Sequence, residues 1–295
     1  MMRGTTTALV AASAIAALAA LAPRAHLHVM GADPGTPALP ALGLSGPLTQ
    51  GGWVRGKAPA GVTRLTLAGQ DIAIAPDRSI FLAFDRDAPS GIPLVATLSG
   101  GRRVTTTLAV APRAWKLEYI PLGPRPGAPP SETYRIRREG ELAQINAARA
   151  SDHAVGGWRQ DFAWPVTGRI SGRFGSQRIY NGVPGAYHSG LDIARPAGTP
   201  FVAPADGVVV LAADSPFSLE GKLLMIDHGA GLNSAFLHAS RLAVKVGDTV
   251  TKGQLIGYVG STGRATGPHL HWSIKWRDAR LDPLLFVAGR APTGD

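Results

Sequence analysis

From Phe162 onward the chain is cut by glycine-rich turns into short runs in which apolar and polar residues alternate. A period of two is the mark of half-buried strands, and none of these runs is long enough to build a helical bundle. Gly207 to Ala212, Lys222 to Ile226, Asn233 to Leu237, Gln254 to Val259 and His269 to Lys275 read as strands. Turns separate them at Asp227-His228-Gly229, Val246-Gly247-Asp248 and Gly260 to Gly267. The 37 Gly and 24 Pro among 295 residues carry this texture through the rest of the chain, so the fold class is mostly β, with an antiparallel sheet in the C-terminal half.

Residues 50 to 118 repeat the pattern on a smaller scale. Leu65 and Leu67, then Ile80, Leu82 and Phe84, then Val104, Leu108 and Val110 fall on period-two faces between turn signals such as Pro89-Ser90-Gly91 and Gly100-Gly101. This suits a small β-sandwich-like module over 30–120, and no catalytic cluster is visible in it. Five prolines between Pro121 and Pro130 make the next segment stiff and extended. Ser131 then stands as an N-cap with Glu132 in the first turn. Leu142, Ile145 and Ala148 recur at helical spacing, which predicts a linker helix to about Ala150 with Arg135, Arg137 and Arg138 on a solvated face. The expected plan is a signal peptide at 1–22, the module at 30–120, the proline-rich linker and helix at 121–155, and a second domain at 156–290.

The signal reading rests on Arg3 ahead of Ala8 to Ala22, a 15-residue run without a charge that is shorter than a membrane-spanning helix. Ala17-Leu18-Ala19 fits small-x-small cleavage, and an uncleaved anchor is the alternative. No other stretch approaches a span, so the mature chain is expected in the periplasm or cell envelope, without a transmembrane helix. The formal charge of +10 favours anionic surroundings. Residues 24–150 hold 15 Lys and Arg against 9 acids and residues 151–295 hold 14 against 11, so the excess is not one basic patch. That weakens a nucleic-acid role and favours an anionic envelope polymer. The absence of Cys excludes disulfides, iron–sulfur clusters, thiolate zinc sites and a cysteine nucleophile, so any metal must sit on imidazole and carboxylate.

Two segments carry such groups. In Tyr187-His188-Ser189-Gly190-Leu191-Asp192-Ile193, Gly190 and the upstream Pro184 and Gly185 disfavour a helix. An extended reading sends Leu191 and Ile193 into the core, with His188 and Asp192 together on the opposite side. Alone, this pair fits a hydrogen-bonded His–Asp contact as well as a metal site. In Gly267-Pro268-His269-Leu270-His271-Trp272-Ser273-Ile274, strand alternation puts His269, His271 and Ser273 on one face and Leu270, Trp272 and Ile274 on the other. Two imidazoles on one wall serve metal binding or polar surface equally. Together, His and Asp donors match catalytic zinc sites, which take three protein ligands and leave a position for water.

These residues resemble the M23 (lysostaphin-like, LytM-type) zinc metalloendopeptidases of peptidoglycan. The resemblance covers about Trp164 to Phe286 and rests on His188-x-x-x-Asp192, Leu237-His238, Gly267-Pro268-His269-Leu270-His271, Gly172-Arg173-Phe174-Gly175 and Pro204-Ala205-Asp206-Gly207. It implies a LytM-like metallopeptidase domain with one Zn²⁺ per chain on His188, Asp192 and His271. His238 and His269 are then catalytic groups beside a metal-activated water, and Arg178 and Asn181 are substrate-binding residues. The substrate it implies is a peptide bond in peptidoglycan stem peptides or cross-links. Outside the resemblance, the N-terminal module reads as a spacer or docking module for an envelope partner. Phe236 departs from the Tyr often found two residues before the cleft histidine, which removes a phenol hydrogen bond. The other expectations are plainer: His228 and Asp206 are turn residues, and His153 lies in the linker.

Two other readings compete. Val246-Gly247-Asp248-Thr249-Val250-Thr251-Lys252-Gly253-Gln254 resembles the hairpin of biotinyl and lipoyl carriers, but no Met-Lys-Met or similar lysine faces it. A non-catalytic wall-binding or amidase-activator protein on the same fold would be favoured by loss of a ligand position, and none is lost.

Overall fold

A computed structural model describes residues 42–122 and 131–287. The expected signal peptide, the start of the expected N-terminal module and most of the proline run lie outside the described residues. The molecule is mostly β, and its largest sheet is antiparallel. In spatial order this sheet runs Thr249–Val250, Gly207–Phe217, Gly221–Asp227, Leu232–Ala239, His269–Trp276, Leu191–Ala194 and Arg169–Gly172, with Ala279–Leu281 also paired to His269–Trp276. The five strands read from alternation after Phe162 are all present; four are longer than expected, Gly207–Phe217 by the most, while Leu255–Tyr258 is one residue shorter at each end.

The two faces of the sheet bury different things. One face, with Leu191, Ile193, Leu224, Ile226, Phe236, Leu270, Trp272 and Ile274, packs on Phe201 and Ile256 of the smaller strands beside it. The other carries Leu211, Ala213, Leu223, Met225 and Ala235, and the helix Glu132–Arg149 lies against it through Ile145 and Ala148. Ser131 Oγ accepts from the Tyr134 N–H, so the helix starts at the expected cap.

Its buried face is not quite the expected one. Glu141, Ile145 and Ala148 are buried while Leu142 is exposed. The reason is electrostatic: Glu141 accepts from Ser218 Oγ at 2.8 Å and from both Arg137 and Arg138, so its carboxylate leaves water fully paired. Arg138 is correspondingly not a solvated residue. It donates through both Nη atoms to Glu220, at 2.6 and 2.8 Å.

In the N-terminal module, the four-stranded sheet Gln70–Ile72, Val62–Leu67, Gly91–Leu98 and Arg103–Ala109 faces the pair Trp53–Lys57 and Ser79–Ala83. Leu65, Ile80, Leu82, Leu94 and Leu108 fill the space between them. Phe81 points the other way and meets Trp53, Trp158 and Trp276 at ring separations of 5.9, 6.3 and 6.0 Å. One buried cluster therefore runs from the module into the C-terminal strands. Leu117–Ile120 adds a parallel strand to Gln177–Tyr180, just before the segment that bears His188.

Candidate metal and catalytic site

The site forms where His269–Trp276 lies between Leu191–Ala194 and Leu232–Ala239, on the face that also carries the helix. Asp192 is directly opposite His271, and Leu237 is opposite His271 on its other side. Cross-strand neighbours share a face, so the pairing sets the carboxylate beside the imidazole before any side chain is considered. His271 Nδ1 lies 2.8 Å from Asp192 Oδ1.

His188 reaches the same oxygen by a route that differs from the extended reading. Four residues of straight strand would separate His188 from Asp192 by about 13 Å. The regular strand begins only at Leu191, and the chain before it bends. The His188 N–H donates to the Ser176 carbonyl and its own carbonyl accepts from Gly175, which brings His188 Nε2 to 3.1 Å from Asp192 Oδ1.

Two glycines make this close packing feasible. A Cβ at Gly172 would lie 2.3 Å from Asp192 Oδ2, and one at Gly190 would lie 2.6 Å from His271 Nε2. No side chain fits at either position without displacing the cluster. Gly172 was visible in sequence only as part of a motif, and its role comes from its register opposite Asp192.

His238 arrives through a backbone irregularity. Simple alternation along Leu232–Ala239 would put it with Phe236 on the core face. Between Phe236 and Ala239 the strand holds one more residue than its partner between Leu224 and Lys222, a bulge. His238 adopts φ +65°, a left-handed conformation uncommon outside glycine, and its ring comes to 4.8 Å from the His269 ring, centroid to centroid. Phe236 itself is fully buried and stacks on Phe201 at 5.6 Å. A phenol there would enter the core, so Phe236 does not remove a hydrogen bond from the cleft as the resemblance implied.

The proton positions follow from the acceptors. Backbone carbonyls only accept, so His188 Nδ1–H donates to Arg173 at 3.2 Å, His238 Nδ1–H to Thr262 at 2.8 Å and His269 Nδ1–H to Gly267 at 2.8 Å. Each ring then presents Nε2 as a lone pair. His188 Nε2 faces Asp192 Oδ1 at 3.1 Å and His269 Nε2 faces it at 3.7 Å, acceptor against acceptor. Such an arrangement is satisfied by a proton or a cation. Burial alone would push His188 down, but the Asp192 carboxylate outweighs it and the net shift is upward. Burial opposes ionisation of Asp192 as well, and the His188 and His271 hydrogen bonds overcome that and hold it well below the usual carboxylate range.

His188, Asp192 and His271 each offer a ligand atom, and these atoms lie within 4.8 Å of one another. Two nitrogens and a carboxylate oxygen suit zinc, so the donor set fits that ion. Burial pushes His238 down to about 4, which keeps it neutral at pH 7.

The remaining histidines and the two expected substrate contacts lie elsewhere. His228, at the turn expected for it, is fully buried, with Nδ1 2.8 Å from the Asp206 carbonyl and Nε2 2.9 Å from Ser234 Oγ. Trp158 and Phe162, distant in sequence, cover it. Arg178 donates to Glu118 at 2.9 Å, and the Asn181 N–H donates to Ile120, both in the parallel pairing with Leu117–Ile120.

A family model described as Peptidase family M23 matches residues 186–283. Over 107 residues the chain is 42% identical to the peptidoglycan DD-endopeptidase ShyA of Vibrio cholerae, which is 36% of this chain and 24% of that protein. Over 137 residues it is 38% identical to a lipoprotein NlpD/LppB homolog of Pseudomonas aeruginosa, 46% of this chain and 42% of that one. The chain thus spans between a quarter and a half of the length of these curated relatives. A solved structure from Pseudomonas aeruginosa described under peptidase M23 superposes with a TM-score of 0.63 at 29% identity, covering 83% of this chain and 96% of the other.

Proposed function

The chain carries a peptidase family M23 domain, and from that premise we propose that it is an exported zinc metalloendopeptidase that hydrolyses peptide bonds in peptidoglycan stem peptides or cross-links. One observation carries the reading: three imidazole nitrogens, from His188, His269 and His271, converge on the single oxygen Asp192 Oδ1. In this reading His188, Asp192 and His271 hold one zinc ion per chain. When bound, zinc supplies Lewis acidity and lowers the pKa of water towards about 7.

The chain's own groups do the rest. His238 and His269 have their Nδ1–H committed to backbone carbonyls, so each keeps an Nε2 able to accept a proton from the attacking water. Once protonated, that Nε2 can donate to the oxyanion of the tetrahedral intermediate. Arg178 and Asn181, on the strand and turn leading to His188, are assigned to substrate contact. Similarity to a protein named a peptidoglycan DD-endopeptidase supports the substrate class. Export rests on the N-terminal apolar run. No helix among the described residues is long and apolar enough to cross a membrane. A non-catalytic activator on this fold has no need of three donors converging on one carboxylate oxygen.

The test is digestion of purified sacculi by the zinc-loaded chain, with mass identification of the products. The reading expects cross-linked muropeptides to give way to uncross-linked ones, and a chelator to stop the conversion. Sacculi unchanged by a chain that holds one zinc would overturn it.

A further inference from the structure

The strand that bears His269 and His271 does not end its polar face at the histidines. The alternation continues through Ser273 to Lys275, whose antiparallel neighbour is Arg280. Two like charges directly opposite one another destabilise a sheet unless something else uses them. The helix brings a third cation to the same face: Arg149 follows Ala148, which packs on the sheet with Ala235, the residue opposite Ser273. Arg149 Nε is buried without a hydrogen-bond partner, and among the described residues neither Arg149 nor Lys275 has an ion pair or a side-chain hydrogen bond. A buried, unpartnered guanidinium nitrogen calls for an explanation.

Nearby carboxylates do not supply it. Glu220 is engaged by Arg138 through both oxygens, Asp85 Oδ2 accepts the Arg280 backbone N–H, and Asp278 is exposed in the turn before Arg280. Burial, and then the neighbouring Arg149, push Lys275 down, so the cations experience one another. At its other end the cluster touches the metal segment: Arg280 Nη1 lies 3.4 Å from the hydroxyl of Tyr187, the residue before His188.

We propose that Arg149, Lys275 and Arg280 form a carboxylate-binding subsite that holds a free carboxylate of the peptide being cut. The proposal rests on the peptidase reading above and adds to it a substrate charge requirement. Lys275 stands four residues from His271 along one strand, about 13 Å, so an extended peptide reaching it from the histidines would place the bound group two to four residues from the scissile bond. Stem peptides carry carboxylates of that kind on their acidic residues, outside the amide backbone.

The experiment uses the full-length zinc-loaded chain and two probes, the cross-linked dimer of Ala-γ-D-Glu-diaminopimelate-D-Ala with its free carboxylates and the same dimer with those carboxylates amidated. Dissociation constants for the corresponding tetrapeptides, measured by calorimetry, decide the subsite whether or not hydrolysis is seen. The free form is expected to bind at least tenfold more tightly and to have at least a tenfold higher kcat/KM, the effect of a charge-assisted hydrogen bond. Lys275→Gln and Arg149→Gln should each bring both ratios towards one, while Lys275→Arg restores them. Zinc content checks that each variant is folded at the site. A wild-type ratio near one, or a ratio retained in both neutral variants, overturns the subsite. Hydrolysis of both dimers at equal rates would overturn it while leaving the peptidase reading intact.

Discussion

The backbone N–H of His238 donates to the carbonyl of Glu220 at 2.8 Å, and the carboxylate of that same Glu220 is clamped by Arg138 of the linker helix. The helix is thereby joined to the backbone of a candidate catalytic histidine. The left-handed φ of His238 is costly, by about 1–3 kcal/mol, and persists only because its surroundings over-determine it. Thr262 contributes the second restraint, accepting from His238 Nδ1 while its hydroxyl donates to Ala239. Arg138→Met should therefore keep zinc and lower turnover about tenfold. Metal content beside the rate of muropeptide release checks this, and an unchanged rate in a folded, zinc-loaded variant would show that the helix does not position His238.

Gly172 gives a sharper structural test because the contact is with a carboxylate rather than a movable aliphatic chain. Alanine there brings Cβ within 2.3 Å of Asp192 Oδ2, which forces the carboxylate out of its place between His188 and His271. Zinc affinity should fall about 10- to 100-fold, the usual effect of disturbing the residues that orient a ligand. Competition with a calibrated chelator measures it, with far-ultraviolet circular dichroism as the control for folding. Wild-type affinity in Gly172→Ala would mean that Asp192 is not a ligand.

Ligand and proton-transfer roles are separable by the metal. His271→Ala removes one of three donors, so zinc and turnover should disappear together. His238→Ala and His269→Ala leave His188, Asp192 and His271 in place, so zinc should stay while the rate falls roughly 10²- to 10⁴-fold. Zinc analysis alongside muropeptide release for all three variants tells the cases apart. If His269→Ala loses zinc and His271→Ala retains it, the roles of the two histidines are exchanged.

What was legible in the sequence was what local periodicity controls. Alternation alone assigned His269 and His271 to one wall and Leu270 and Trp272 to the core, and capping chemistry placed the helix start at Ser131. What alternation could not give was anything set by register between distant strands. His238 should by parity share the core face with Phe236, and only the extra residue opposite Leu224 and Lys222 turns it into the cleft. His188 has a similar history, since the bend that folds it back to Asp192 depends on Gly175 and Ser176 across the loop. Nor does composition disclose that Phe81 of the N-terminal module inserts between Trp158 and Trp276, because each of these residues reads locally as an ordinary strand or loop aromatic.

His228 makes a prediction about acid. It is fully buried and neutral, its Nδ1–H donating to the Asp206 carbonyl and its Nε2 accepting from the Ser234 hydroxyl, and burial pushes its pKa down to about 4. In the unfolded chain an imidazole titrates near 6.5. Between these values the unfolded chain binds a proton that the folded one does not, so the contribution is fully present above about pH 6.5 and is lost as pH falls towards 4. The difference corresponds to about 3 kcal/mol. His228→Gln has no such proton to bind, and its stability at neutral pH should drop by about 1–3 kcal/mol through lost hydrogen bonds and packing. Urea midpoints of the wild type and the variant, both in excess chelator so that the metal site titrates alike in each, should therefore converge as pH is lowered from 7 to 4. A gap between the two that stays constant over that range would show that His228 does not change its protonation on unfolding.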